Sequence, residues 1–555
     1  MEHTMKRHLV NKEIGLIASY LLISIAGGYV LAHTLIHSIP VNQDSYAPIQ
    51  QVQTLIQGQA TNLFSVHVAR IPSLFPDLII LSGISLLFPL SGGLDLLTMY
   101  AWVYSILFLF FSASFVKEAI APKKTHFLEP LSIGLIIISL LAISPTARDA
   151  YGHMLTPVHH GGNILNTIIL LLLTLKLTKN PHRKVFLILF YVLVIAGVAS
   201  NKLFLFTALM PSIYLLLWRN ANKKIMGGIT LMVAIGWSIG SSLNAQCAPE
   251  ISINIATSLG VIKKYWLNYG PIIFSSLFSL ASLGIIFLSR PTENKSNLIL
   301  SPNLKDALAA ISISCLTFYL YIFILSGGGD ITIRYALMFF SSVPIFISLL
   351  IHTFTKRTND YWLIGLIGLL GSIIHRPGYI ARKINHIKRS SIPEMMRTRH
   401  LNSSRELYTT LKFIKSKELE NAVGFSDYWG AGIAIESNSK LSIFPIHSSG
   451  EPDYWSMSPE TLIKGMNRDH KNFYVVSKNK NFLEAIKQNI GTPLEHWEFN
   501  TKAQQYQPFK ILNVHEKETT QLLIYRDKTT TKRMSKHASM FQRNCDATSP
   551  LHMVR

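Results

Sequence analysis

The sequence predicts a mainly α fold: a polytopic transmembrane helical bundle of about 11–12 spans, followed by a small C-terminal α/β domain outside the membrane. Three observations carry this expectation. Apolar runs such as 14–36, 96–115 and 307–326 approach or exceed the roughly 18 residues that suggest a membrane span. Only 15% of the 555 residues are charged, and mean hydropathy is +0.30, whereas soluble proteins carry about a quarter charged residues. Beyond about residue 390 the long apolar runs give way to mixed polar and apolar sequence with short β-like stretches.

In chain order, candidate spans fall near 14–36, 74–90, 94–116, 128–145, 162–178, 185–199, 202–218, 224–242, 271–289, 307–326, 335–352 and 361–375. The gaps between them alternate in kind. One kind is basic: Lys176, Lys179, Arg183 and Lys184; Arg219, Lys223 and Lys224; Arg290 and Lys295; Lys356 and Arg357. The other carries Asp149, His159 and His160, then Asn201, then the stretch ending at Asp330. Short Lys/Arg loops stay cytoplasmic, so the second kind is expected to face outward. The basic N-terminus precedes an apolar run with no small-residue cleavage site, which reads as a retained first helix starting in the cytoplasm.

A cytoplasmic N-terminus and an outward C-terminal domain demand an odd number of crossings, yet twelve segments are legible. The weakest is 74–90, interrupted by Pro76, Asp77 and Pro89. It is expected to be re-entrant or interfacial; the alternative is a full crossing that leaves the loop at Lys117, Lys123 and Lys124 outside, against the positive-inside rule.

The expected domains are 1–390, transmembrane with outward loops; 391–527, extracytoplasmic α/β; and 528–555, a disordered basic tail. In the α/β domain, strands are expected at 441–446, 472–476, 509–514 and 521–525, with helices at 403–418 and 481–489. The net charge of +22 sits largely in inter-span loops and follows from topology and anionic lipid headgroups, so nucleic acid is not an expected partner. Cys247, Cys315 and Cys545 form neither a disulfide framework nor a metal site, and Cys315 reads as a small packing residue. Neither an internal repeat nor paired broken helices in matching halves, the mark of many secondary transporters, is visible.

Several outward-loop residues are candidates for chemistry. Asp44 follows the first span, where a carboxylate takes a proton from an acceptor hydroxyl or binds a divalent ion; on this residue alone the favoured reading is a cap on a helix starting near Ala47. His159 and His160 precede Gly161 and Gly162 at the head of a span, where imidazoles can donate to a phosphate or sugar; the bland reading is interfacial histidines at a helix start. Arg334, near Asp330, suits a lipid phosphate through bidentate hydrogen bonds, with a snorkelling anchor as the alternative. Asn201 and Lys202 occupy a tight outer turn, and Lys202 offers another phosphate contact. Lys263 and Lys264 beside Tyr265 and Trp266 read as an amphipathic interfacial segment. Asp427, Tyr428 and Trp429 form either a carbohydrate-stacking edge or a packed corner of the α/β core.

The whole-chain plan resembles the GT-C class of integral membrane glycosyltransferases. The resemblance rests on the first outer-loop aspartate (Asp44), about eleven spans, the late outer arginine in Ile333-Arg334-Tyr335 and a C-terminal extramembrane domain. Gln43-Asp44-Ser45 matches part of the Asp-Glu or Glu-X-Asp signature of that class. His160-Gly161-Gly162, the turn Ser200-Asn201-Lys202 and Asp427-Tyr428-Trp429-Gly430-Ala431 also resemble a family of large bacterial membrane proteins. There the turn usually carries aspartate after the serine; here the residue is Asn201. The resemblance implies a polyprenyl-phosphate sugar donor, with Asp44 as base or ligand of a divalent cation. Arg334 and His159 or His160 would hold the phosphate, with Asp149, Asn201, Lys202 and Asp330 in the substrate-binding set. The acceptor would be an envelope glycan, lipid or protein at the outer face of the bacterial cytoplasmic membrane. The runner-up is a non-catalytic binding or assembly protein of the same fold. A lipid or solute transporter ranks third, because span centres are nearly free of ionisable residues.

Overall fold

The computed structural model describes residues 2–35, 43–56, 73–89, 93–120, 129–143, 145–157, 160–219, 223–242, 259–260, 262–263, 270–288, 301–325, 336–354, 405–419, 422–427, 443–446, 472–500, 505–508 and 520–526. The expected span 361–375, the strand 509–514 and the tail 528–555 lie outside the described residues.

The protein is mainly helical. The helices are α1 (Glu2–Leu35), α2 (Gln43–Ile56), α3 (Ile79–Leu87), α4 (Gly93–Ala119), α5 (Glu129–Ile143), α6 (Pro145–Met154), α7 (Gly161–Lys179), α8 (Lys184–Ser200), α9 (Met210–Trp218), α10 (Lys223–Ser242), α11 (Gly270–Leu288), α12 (Pro302–Leu325) and α13 (Leu337–Phe354). Irregular turns at Leu74–Leu78 and Leu205–Leu209 lead into α3 and α9. Among the described residues, four helices are long and apolar enough to cross a membrane: Ile14–Leu35, Asp95–Ala119, Gly161–Lys179 and Ile225–Ser242. Their packing differs. Most of α7 is buried among its neighbours, whereas α1 presents Ile14, Ile17, Leu21 and Leu22 outward, an apolar face suited to lipid.

Side-chain contacts give the helices directions. A Cβ on Gly27 of α1 would meet Leu109 of α4 at 3.0 Å, one on Gly28 would meet the Ile106 backbone nitrogen at 2.8 Å, and the Tyr29 ring packs edge-on to Trp102, so the contacts descend α4 as they ascend α1. These two helices run antiparallel at close range, as small residues allow. By contrast α4 and α7 run parallel: Tyr104 OH donates to the Gly161 carbonyl (2.6 Å) at one end, and Lys179 pairs with Glu118 (2.5 Å) at the other. Helix α9 follows α7 in the same sense, with Asn163 and Thr167 bonded to Thr207, and Thr174 to Ser212. Arg219 then closes on Asp306 through Nε (2.9 Å) and Nη2 (3.0 Å).

The helices therefore have two chemically different ends. Lys176, Lys179, Arg183 and Arg219, which outnumber their partners Glu118 and Asp306, mark a basic end, and His160, Ser200 and Asn201 mark a polar end. The 19 residues of α7 separate them by about 28 Å at 1.5 Å per residue. Leu74–Leu87 is shorter than a span. It begins beside Tyr100, in the second turn of α4, and ends six residues before α4 itself begins.

The C-terminal region contains α14 (Arg405–Ser416), β1 (Val423–Ser426), β2 (Ile443–Pro445), β3 (Phe473–Ser477), α15 (Lys480–Ile490), β4 (Glu495–Asn500), β5 (Gln505–Pro508) and β6 (Gln521–Tyr525). The sheet order is β2-β1-β3-β6-β4-β5, with the first three strands parallel and the rest antiparallel. The two-residue period sends Phe473, Val475, Leu523 and Tyr525 to one face, against Phe482, Leu483 and Ile486 of α15. Tyr474, Val476, Leu522 and Ile524 go to the other, with Ile414 of α14. Both faces are covered, so β3 and β6 read as unbroken apolar runs.

Candidate functional site

Residues 73–78 form the hub of the polar end. Three helices from later in the chain meet there. The Ser73 amide donates to the Ser200 carbonyl (3.0 Å), and the Phe75 amide donates to Ser200 Oγ (2.8 Å), which ties the hub to the C-terminus of α8. Asn166 Nδ2 donates to the Phe75 carbonyl (2.9 Å), which ties it to α7. Tyr100 OH donates to Asp77 Oδ1 (2.6 Å), which ties it to α4. Asp77 is 1% exposed. An acid so buried is costly unless hydrogen-bonded, and the Tyr100 phenol supplies a bond.

Glycines let α7 approach this acid. A Cβ on Gly162 would sit 2.4 Å from Asp77 Oδ1, and one on Gly161 would sit 2.0 Å from the Met154 carbonyl at the end of α6. His160 precedes them with φ 68°, a left-handed conformation that breaks the chain direction before α7 starts.

His160 and Asn201 come together. Asn201 Nδ2 lies 3.1 Å from His160 Nδ1, and Asn201 Oδ1 accepts the Leu203 amide (2.9 Å). The second bond fixes the amide orientation, so Nδ2 is the donor to the ring. His160 Nδ1 then accepts, which puts the proton of the neutral imidazole on Nε2. Both side chains are buried, as are Asn163 and Asn166 on the next turns of α7. The side-chain oxygens of Asn163 and Asn166 accept no hydrogen bond from any described residue, so the polar centre retains acceptor capacity.

The remaining expected site residues divide. Asp44 is the second residue of α2, whose start at Gln43 lies upstream of the expected Ala47; Asp44 is therefore within the first turn rather than ahead of the helix. Helix α2 packs on α3 and α4 and reaches the 74–78 turn. Asp149 is exposed on α6. Lys202 is exposed too, and its Nζ stands 4.6 Å above the Trp237 ring, a cation–π contact. His159, Asp330, Arg334, Lys264, Tyr265, Trp266, Tyr428 and Trp429 lie outside the described residues.

Sequence reasoning missed Asp77, Tyr100, Asn163, Asn166 and Thr207. A signal was present for Asp77, an acid beside a proline in an otherwise apolar run. It was read as a mark against a span, not as a site. Among the described residues no three His, Cys, Asp or Glu side chains gather as metal ligands. Neither a family model nor a curated protein matches the chain.

Proposed function

We propose that this protein is a membrane glycosyltransferase that moves a sugar from a polyprenyl-phosphate donor to an envelope acceptor at the outer face of the bacterial cytoplasmic membrane. One observation carries the reading. Three stretches expected to face outward converge on the 73–78 hub: the helix bearing Asp44, the His160 turn and the Asn201 turn. In this reading the polar end is extracytoplasmic, the basic end cytoplasmic, and 74–87 dips into the membrane without crossing it.

Asp44 takes the proton of the acceptor hydroxyl as its oxygen bonds to the anomeric carbon. The bond from that carbon to the phosphate oxygen breaks, and the phosphate leaves carrying the electron pair. Arg334 and His159 stabilise the charge that develops on it. His160 and Asn201, spent on one another, hold the floor of the site.

The test is transfer by the reconstituted protein with a panel of polyprenyl-phosphate sugars. Asp44→Asn should lower the rate about 100-fold or more, the usual contribution of a positioned base. Undiminished transfer by Asp44→Asn removes Asp44 from the mechanism.

A second reading, a non-catalytic membrane binding or assembly protein, draws support from the burial of His160 and Asn201 and their mutual bond. Absence of transfer from every donor by the unmodified protein would favour it.

A further inference from the structure

A cavity of about 2110 Å³ opens between α1, α3, α4, α7 and α8 and borders the 74–78 turn at Leu74, Phe75 and Leu78. That is about twice the upper volume of a small-molecule pocket. Its wall is apolar along most of its length, through Leu78, Phe110, Ile169, Leu172, Leu189 and Leu193. Two of the three serines on it are satisfied locally: Ser19 donates to the Gly15 carbonyl and Ser114 to the Phe110 carbonyl. At one end it reaches Leu74 and Phe75 of the hub; at the other it ends among Lys117, Lys176 and Lys179, with Glu118 the acid beside them. Lys179 is bonded to Glu118, and Lys176 stands 5.1 Å over the Phe186 ring, joined there by Arg183 on the same ring.

We propose that this groove is the seat of an anionic glycerophospholipid, its phosphate at the Lys117–Lys176–Lys179 mouth and its acyl chains along the wall up to Phe75. Charge complementarity selects the occupant. A long apolar trough ending in more lysines than acids fits an amphiphile whose head is negative, and basic pockets between membrane helices bind such headgroups. The mouth is at the basic end, so the lipid belongs to the leaflet opposite the proposed transfer reaction, and the inference stands independently of that reaction. The chain tips reach the residue whose amide and carbonyl bind Ser200 and Asn166, so an occupied groove would brace the hub from behind.

The experiment uses the full-length purified protein in detergent, with native mass spectrometry and thermal unfolding. Probes are phosphatidylglycerol, cardiolipin, phosphatidylcholine, undecaprenyl phosphate and inorganic phosphate. The anionic glycerophospholipids should be retained and should raise Tm, while phosphatidylcholine and inorganic phosphate leave it unchanged. Lys117→Gln combined with Lys176→Gln should abolish the preference for anionic over zwitterionic lipid. Gly83→Phe should lower retention of every lipid. A Cβ at Gly83 meets nothing within 4 Å, so this variant fills the groove without disturbing the helix pair. Equal retention of phosphatidylcholine, a preference that survives the double substitution, retention of undecaprenyl phosphate alone, or stabilisation by inorganic phosphate would each overturn the assignment.

Discussion

Asn201 and His160, 41 residues apart in sequence, face one another at 3.1 Å, with the amide nitrogen donating to imidazole Nδ1. The same amide accepts the Leu203 N–H, so one side chain closes its own turn and anchors the turn before α7. Asn201→Ala removes both bonds and leaves buried groups unpaired, at a cost of about 1–3 kcal/mol. Asn201→Asp keeps the acceptor for Leu203 and should fall between the two. It also demands a proton on His160 Nδ1, so the ring tautomer should switch. Thermal unfolding ranks the three proteins, and imidazole ¹⁵N shifts report the tautomer; equal stability of all three would remove the latch.

Tyr100 and Asp77 form the bond that holds the hub to α4. Tyr100→Phe strips the carboxylate of a buried donor and should cost about 1–3 kcal/mol. Asp77→Asn retains size and can still accept from the phenol, so it should cost less. The comparison is made by unfolding of the purified protein. A Tyr100→Phe protein as stable as the parent would show that Asp77 does not depend on this bond.

Gly162 and Gly83 make a matched pair of substitutions. Alanine at Gly162 drives a methyl group to within 2.4 Å of Asp77 Oδ1, whereas alanine at Gly83 meets open space. Gly162→Ala should lower both stability and any transfer activity by separating α7 from the hub. Gly83→Ala should leave stability within about 0.5 kcal/mol or raise it slightly, since alanine is the better helix former. Indistinguishable behaviour of the two variants would contradict the close approach.

His496 on β4 makes the C-terminal domain sensitive to acid. Burial and the nearby Lys487 push its pKa down to about 4 from 6.5, against the opposing pull of the Gln521 hydrogen bond and Glu484. The folded state thus prefers the neutral ring. Its contribution is present above pH 6.5 and is lost as pH falls toward 4, because the unfolded chain takes up the proton first. Protection of 495–500 against hydrogen exchange in the full chain, corrected for intrinsic rates, should fall through that window. His496→Gln should flatten the dependence, and an unchanged profile in that variant would assign the acid sensitivity elsewhere.

Elements whose signal is local were legible. The expected span 162–178 became Gly161–Lys179, and 521–525 became β6 without a shift, because predominantly apolar runs bounded by polar residues specify both. Strand β4 escaped notice. Its sequence, Glu495 to Asn500, alternates too weakly, and its pairing with β6 and β5 supplies what composition does not. The polar hub escaped for a related reason. Phe75 meets Ser200 across 125 positions and Asn166 across 91, and Asp77 meets Tyr100 across 23. No window along the chain contains those partners together. Of the expected site, His160 and Asn201 did meet, because each lies at a helix end on the same face of the fold.

The central claim is that the polar end is the outward, working face and the basic end is cytoplasmic. Lys202 and His182 are both exposed, at the polar and basic ends respectively. With Cys247 and Cys545 replaced by serine and Cys315 buried, single cysteines at these two positions can be probed in intact cells with a membrane-impermeant maleimide. Labelling of Lys202→Cys alone, with His182→Cys labelled only after permeabilisation, is the predicted result; labelling of His182→Cys in intact cells would contradict the account.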